Sequence, residues 1–196
     1  GTTVLRRYAH LVTGNYHPRT ARQYTDFGLL TANEEICAEV NEVFKQLTGL
    51  GKSTRMKHIW LSPFTLHKRV VAAVRNEARL AKEGKPARIM AKMNALLEPE
   101  RVFFFLNDGA EDVYLSSADW MDRNFFRRVE ICFPVLDPKL KKRVINEGLK
   151  PYLEDNCQAW DMDSEGRYSL HSPRRGKPQA AQEVLLEMLA RAQLPA

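Results

Sequence analysis

The chain opens on a predominantly apolar run from Val4 to Val12 that stops at Thr13-Gly14-Asn15. This pattern predicts a strand over residues 3–12, a glycine turn and then a polar loop. Phe27-Gly28-Leu29-Leu30 is a short apolar piece after that loop. Thr31 or Asn33 can cap a following helix, with Glu34 and Glu35 in its positive first turn. In that helix Ile36, Val40, Val43, Phe44 and Leu47 repeat at helical spacing and predict one buried face, ended by Gly49 and Gly51. Ser62-Pro63 opens a second helical region, continued by Val70, Val71, Val74, Ala78 and Ala81, and Gly84-Lys85-Pro86 closes it.

From Arg88 the texture turns strand-like: Ile89–Met93, Val102–Leu106, Val113–Ser117 and Val129–Leu136. Such near-continuous apolar runs suit strands buried on both faces of a mixed or parallel sheet. A parallel neighbour needs a crossover of about a dozen residues or more, yet only Asn94 to Arg101 separates the first two of these runs. Either they form an antiparallel hairpin, or a segment that belongs between them is missing. Asp137-Pro138 starts a helix from Lys139 to about Leu149, Ser164–Pro178 reads as a polar, basic loop, and Gln179–Leu194 as a closing amphipathic helix.

Composition is that of an ordinary globular protein, 44% hydrophobic over 196 residues. Its +6 charge favours anionic partners, with a merely soluble basic protein as the plain alternative. Cys37, Cys132 and Cys157 are odd in number and widely spaced, which argues against a disulfide framework and a cysteine zinc site. Cys37 and Cys132 read as small buried hydrophobes, and a reducing cytoplasmic setting fits. No apolar stretch approaches the roughly 20 residues of a membrane span. Residue 1 is Gly, and with a strand expected so soon after it the chain reads as a piece of something longer.

The chemistry concentrates at the ends of two strands. The first carries His10, and the loop after it Asn15, Tyr16, Arg19, Arg22, Tyr24 and Asp26. Histidine offers proton transfer, arginines bind anions and tyrosines give flat faces to a base or sugar. The reading is a phosphate or nucleotide site. Against it stands the plain one, a core histidine with common loop residues. Ser116-Ser117-Ala118-Asp119, followed by Asn124, Arg127 and Arg128, is a second such strand end, although Ser/Asp/Asn clusters commonly just make turns. Gly51-Lys52-Ser53 is not a Walker A loop, since the required earlier glycine is Gln46. His67-Lys68 reads as a solvated helix face, and Arg174, Arg175 and Lys177 as a solvated tail.

The order of these residues is specific. Tyr8-Ala-His-Leu-x-Thr-Gly-Asn-Tyr-His-Pro-Arg-Thr-Ala-Arg-x-Tyr-Thr-Asp26 resembles a segment of the bacterial polyphosphate kinases. Tyr114-Leu-Ser-Ser-Ala-Asp-Trp-Met121, Arg127-Arg-Val-Glu130, Phe133-Pro-Val-Leu-Asp-Pro138, Ser62–Lys68 and Gly84–Leu97 resemble the same family, so the likeness covers residues 5 to about 160. The resemblance implies an α/β fold, a phospholipase D-like mixed sheet flanked by helices, in two related halves. The first would end within residues 1–86, and the second, over 87–196, would be incomplete. It implies reversible transfer of the ATP γ-phosphate to polyphosphate through a phosphohistidine, with ATP and Mg2+ as cofactors. The partners would be ATP or ADP and inorganic polyphosphate, the assembly a homo-oligomer, with no nucleic acid. By position His10 matches the family's second essential histidine and Tyr24 its adenine-contacting tyrosine; Asn15 would lie beside the phosphates and Arg128 would bind them.

Departures follow from the same comparison. The family's phosphorylated histidine, in a His-x-Lys pair, would precede residue 1, and none of the five histidines here has a lysine two residues later. A second nucleotide-site histidine and arginine belong where Leu97-Glu-Pro-Glu-Arg101 stands. The chain as written is therefore expected to lack the covalent step. A phospholipase D-type phosphodiesterase or nuclease, and a non-catalytic polyanion-binding remnant, are the alternative readings.

Overall fold

The computed structural model describes residues 6–19, 26–49, 56–93, 101–172 and 177–192. Two compact units divide the chain, residues 1–137 and 138–196. The residue 86/87 boundary expected from the sequence falls inside the first of them.

In the first unit, β1 (Ala9–Val12) pairs antiparallel with β2 (Gly28–Thr31), setting His10 opposite Leu30. Only the end of the expected first strand, residues 3–12, lies within the described residues. Helix α1 (Glu34–Leu47) starts at Asn33, whose side chain accepts from the Ile36 N–H at 3.0 Å, so Asn33 rather than Thr31 is the cap. Its buried side is Ile36, Cys37 and Val43, while Phe44 and Leu47 are exposed, against the wider apolar face expected. Glu39 on this helix accepts the backbone N–H groups of Lys57, His58 and Ile59 at 2.6–3.1 Å. It thereby anchors the approach to β3 (Trp60–Ser62), a strand whose three residues are too few to show a period in the sequence.

Helix α2 (Leu66–Lys82) follows, then β4 (Ile89–Lys92), β5 (Arg101–Phe105), β6 (Asp112–Ser116), the short α3 (Asp122–Phe126) and β7 (Glu130–Pro134). The five strands form one sheet in the order β3-β7-β6-β5-β4, and every pairing is antiparallel. Helices accompany the sheet as expected of an α/β fold, but its strands are all antiparallel rather than mixed. The apolar runs are nonetheless buried on both faces. Phe103, Phe105, Trp60 and Cys132 pack with Leu66 and Val70 of α2, while Val102, Phe104, Val113, Leu115 and Phe133 on the alternate positions are buried too. Burial on both faces, not parallel pairing, is what a continuous apolar strand records.

The β4–β5 pairing, with Lys92 opposite Val102, is antiparallel. These strands are a hairpin, so the crossover length no longer argues for a missing segment. On α2 the buried side includes Glu77, which was not anticipated. Its carboxylate accepts the N–H groups of Arg88 at 2.9 Å and Asn107 at 2.6 Å and so fastens to the helix the end of the pair where β4 begins and β5 stops.

The second unit holds α4 (Pro138–Gly148), α5 (Lys150–Leu153), β8 (Trp160–Met162), β9 (Tyr168–Leu170) and α6 (Ala181–Ala192). Part of the segment expected as a loop is thus the second arm of a β8–β9 hairpin closed through Gly166. Asp155 organises this unit. Its Oδ1 accepts the N–H groups of Cys157, Gln158 and Ala159, and its Oδ2 that of Ala181 at the start of α6.

Candidate functional site

The turn after β1 is built around Thr13, which is 1% exposed. Its hydroxyl donates to Asp26 Oδ1 at 3.1 Å and accepts the Phe27 N–H at 3.1 Å, while its own N–H donates to the Phe27 carbonyl. A Cβ on Gly14 would overlap the Asp26 carboxylate, so glycine is required there by close approach. Beyond this anchored pair the chain turns outward and Asn15, Tyr16, His17, Pro18 and Arg19 are exposed.

His10 is exposed on β1, with the Tyr16 hydroxyl hydrogen-bonded to its Nδ1 and the two ring centroids 5.4 Å apart. Its Nε2 lies over Gly28, where a Cβ would come within 2.8 Å. The histidine is therefore not the core histidine of the plain reading: one ring nitrogen is held by Tyr16 and its side chain stands on the open face of a two-stranded sheet. Tyr24 and Arg22 lie outside the described residues.

At the other strand end, β6 stops at Ser116, whose hydroxyl donates to the Ile131 carbonyl and accepts the Ala118 N–H, both at 3.0 Å. Ser117 donates to Glu130 Oε2 at 2.5 Å, and the buried Asn124 donates to Glu130 Oε1 at 3.0 Å. Part of this cluster is thus turn-making, as the plain reading held. Arg128, on the connection into β7, is exposed and has no hydrogen bond or ion pair among the described residues.

Arg101 connects the two strand ends. Being opposite Ser116 in the sheet places it at the C-terminal end of β6. It donates from Nε to Asp119 Oδ1 at 2.8 Å and from Nη2 to Oδ2 at 3.0 Å, and Nη1 reaches the Thr13 carbonyl at 3.5 Å. The paired side chains are 18% and 6% exposed, so this fork-to-fork bridge is largely desolvated. The sequence reading singled out Asp119 but not Arg101; the available signal was a charged residue at the first position of an otherwise apolar strand.

Other candidates separate from this site. His67 packs against Phe125 and Phe126 at 5.2 and 4.9 Å and is half-buried, whereas Lys68 is solvated. The Gly51-Lys52-Ser53 triplet, Arg174 and Arg175 are outside the described residues. Burial pushes the Cys132 thiol far up, which keeps it protonated and unsuited as a nucleophile. Tyr114 is pushed up to about 12 by burial and by the Asp112 charge. Among the described residues no group of three His, Cys, Asp or Glu side chains converges to hold a metal ion.

Comparison with known proteins identifies what surrounds this geometry. The family model for polyphosphate kinase C-terminal domain 1 matches residues 2–53, and that for C-terminal domain 2 matches residues 95–182. A polyphosphate kinase of Paraburkholderia phytofirmans is 46% identical over 234 aligned residues, covering 94% of this chain and 34% of that protein. One from Burkholderia multivorans is 45% identical over 240 residues, covering 97% and 34%. The crystal structure of polyphosphate kinase from Porphyromonas gingivalis superposes with a TM-score of 0.87 at 28% identity, over 98% of this chain and 37% of that one. The chain spans about a third of the length of the curated relatives it matches. Since 94% of 196 residues is about 184, against 234 aligned positions, about 50 positions of the first relative have no counterpart here.

Proposed function

We propose a function from one premise: the chain belongs to the polyphosphate kinase family. On this reading it is the C-terminal catalytic portion of an ATP:polyphosphate phosphotransferase, bearing part of the nucleotide and polyphosphate site. The observation that carries the reading is the juxtaposition of His10, with Nδ1 engaged by Tyr16, and the anchored Thr13-Gly14-Asn15 turn. A phosphoryl group passing between ATP and polyphosphate spreads negative charge over its oxygens, and catalysis rests on positioning and on neutralising that charge. Asn15 and the backbone of the turn would meet the phosphates, His10 would hold or move a proton beside them, and Arg128, exposed and unpaired among the described residues, would supply positive charge. Tyr24 would stack on the adenine. The buried Trp120 Nε1 and Asn124 Oδ1 have no partner among the described residues, which agrees with a second strand end shaped for polar company beyond the protein's own.

Among the described residues no acidic cluster would hold a resident magnesium ion. No step is assigned to it. The phosphohistidine of the parent reaction belongs to the portion of the family that this chain does not span. The roughly 50 positions absent from this chain are assigned to the β4–β5 connection, where the family's second nucleotide-site histidine and arginine are expected. The chain is therefore a binding module of the parent enzyme and transfers nothing by itself.

Incubating the purified 196-residue chain with γ-labelled ATP and polyphosphate, alongside direct binding measurements, tests this. Binding of both anions without label transfer is expected. Cleavage of a phosphodiester substrate without ATP would replace the reading with a phospholipase D-type phosphodiesterase. Salt-sensitive polyphosphate binding with no affinity for ATP would replace it with a polyanion-binding remnant, which the +6 charge favours.

A further inference from the structure

We propose that Arg101 is a positioning residue for the phosphate-facing turn: held by Asp119, it fixes the peptide plane between Thr13 and Gly14 and thereby aims the Gly14 N–H at a bound phosphate. The proposal rests on the reading of the turn as a phosphate site and assigns a residue that sequence order left unassigned.

Three observations carry it. Among the described residues the β1–β2 pair shares no ladder with the five-stranded sheet, which leaves side chains to link the two strand ends. Arg101 spans them, from Asp119 at 2.8 and 3.0 Å to the Thr13 carbonyl at 3.5 Å, across 88 positions of sequence. The bridge is directional, because both carboxylate oxygens of Asp119 take up Nε and Nη2 and so fix the rotation of the guanidinium plane. That fixed plane delivers Nη1 to the Thr13 oxygen.

The consequence follows from peptide geometry. The Thr13 C=O and the Gly14 N–H lie in one plane and point in opposite directions. A guanidinium on the oxygen side therefore leaves the N–H pointing away from Arg101. Thr13 is held from its other flank by Asp26 and Phe27, so Arg101 controls the freedom that remains. Its positive charge is largely offset by Asp119, which makes it a poorer direct phosphate ligand than Arg128, unpaired among the described residues.

The test measures the affinity of the 196-residue chain for ATP and for inorganic tripolyphosphate by calorimetry, together with amide hydrogen exchange at residues 13–16. The variants are Arg101→Gln, Arg101→Lys, Asp119→Asn, Asn15→Ala and the Arg101→Gln/Asn15→Ala double. Arg101→Gln is expected to weaken both anions about tenfold to a hundredfold, the scale of a misplaced binding group. It should also accelerate exchange at Thr13, whose N–H donates to the Phe27 carbonyl, without altering exchange in β5 or β6. Asp119→Asn should do the same. Arg101→Lys, which keeps the charge but not the fork, should recover less than half of the lost binding free energy. The double variant should bind no more weakly than Arg101→Gln alone, because the turn is already misaligned. Additive losses with unchanged exchange at 13–16 would make Arg101 a direct ligand and overturn the proposal. Should Arg101→Gln fail to fold, exchange in Arg101→Lys decides the same question. Absence of any anion binding by the unaltered chain would overturn the proposed function, while the exchange comparison would still decide whether Arg101 holds the turn.

Discussion

Gly14 and Asp26 occupy adjoining space so closely that a Cβ on residue 14 would overlap the carboxylate, and the same carboxylate accepts the Thr13 hydroxyl at 3.1 Å. Gly14→Ala must therefore displace Asp26 and break that bond. The expected cost is about 1–3 kcal/mol, the range for leaving a buried hydroxyl unpaired. In an Asp26→Ala background the same substitution should cost much less, since the obstacle is gone. Urea denaturation of the four proteins checks this, and an equal cost in both backgrounds would show that backbone conformation, not the carboxylate, demands glycine.

Tyr16 sets the state of the histidine ring. With the Tyr16 hydroxyl as donor to Nδ1, the neutral ring carries its proton on Nε2, above Gly28. Tyr16→Phe should leave stability nearly unchanged, because the pair is exposed, while mixing the two tautomers. Long-range proton–nitrogen NMR of the imidazole reads this directly. A neutral ring protonated on Nδ1 in the unaltered chain would contradict the assignment.

Asp155 governs the acid limit of the second unit. Burial opposes its charge, but the N–H groups of Ala181, Gln158, Cys157 and Ala159 outweigh burial and hold the carboxyl below the usual value of 3.8. A group whose folded pKa is depressed contributes stability that is fully present above the unfolded value. That contribution is lost as pH falls from about 4 through the folded pKa. Asp155→Asn should be less stable at neutral pH and show a shallower loss as pH falls below about 4. Thermal unfolding followed across that range checks the slope; a parallel decline in both proteins would assign the acid sensitivity elsewhere.

The cysteines should separate by access. Cys37 and Cys132 are buried and Cys157 is partly exposed. Brief alkylation of the native chain should modify Cys157 first, with the other two reacting only after denaturant is added. Peptide mass spectrometry distinguishes them, and native labelling of Cys132 would show that the sheet opens far more readily than its packing implies.

Much of this was legible in the residues. The helical repeat through Val70 and Val74, the Asn33 cap and the four apolar runs from Ile89 to Leu136 each carry a local signal, because a buried face repeats with the period of its backbone. The order of residues around Thr13-Gly14-Asn15 and Ser116-Ser117-Ala118-Asp119 carried the family. The β3 strand and the β8–β9 hairpin were not legible, since three residues are too few to show a period and Tyr168-Ser-Leu170 sits in a polar, basic stretch. The breadth of the α1 face was overstated for a different reason. Periodicity reports which residues share a side and not how far a neighbour extends across it, and here Phe44 and Leu47 stay in solvent.

The sequence by itself determined the element types, the buried runs, the two polar strand ends and the family to which they belong, all of them properties carried by residues close together in the chain. Tertiary structure alone decided that the sheet is antiparallel, because a strand buried on both faces has the same apolar composition whichever way its neighbour runs. It alone decided that Glu39, Glu77 and Asp155 spend their charge on backbone N–H groups. It also brought Arg101 between Asp119 and Thr13, since a contact across 88 positions depends on how strands are ordered in a sheet and leaves no periodic trace in the chain.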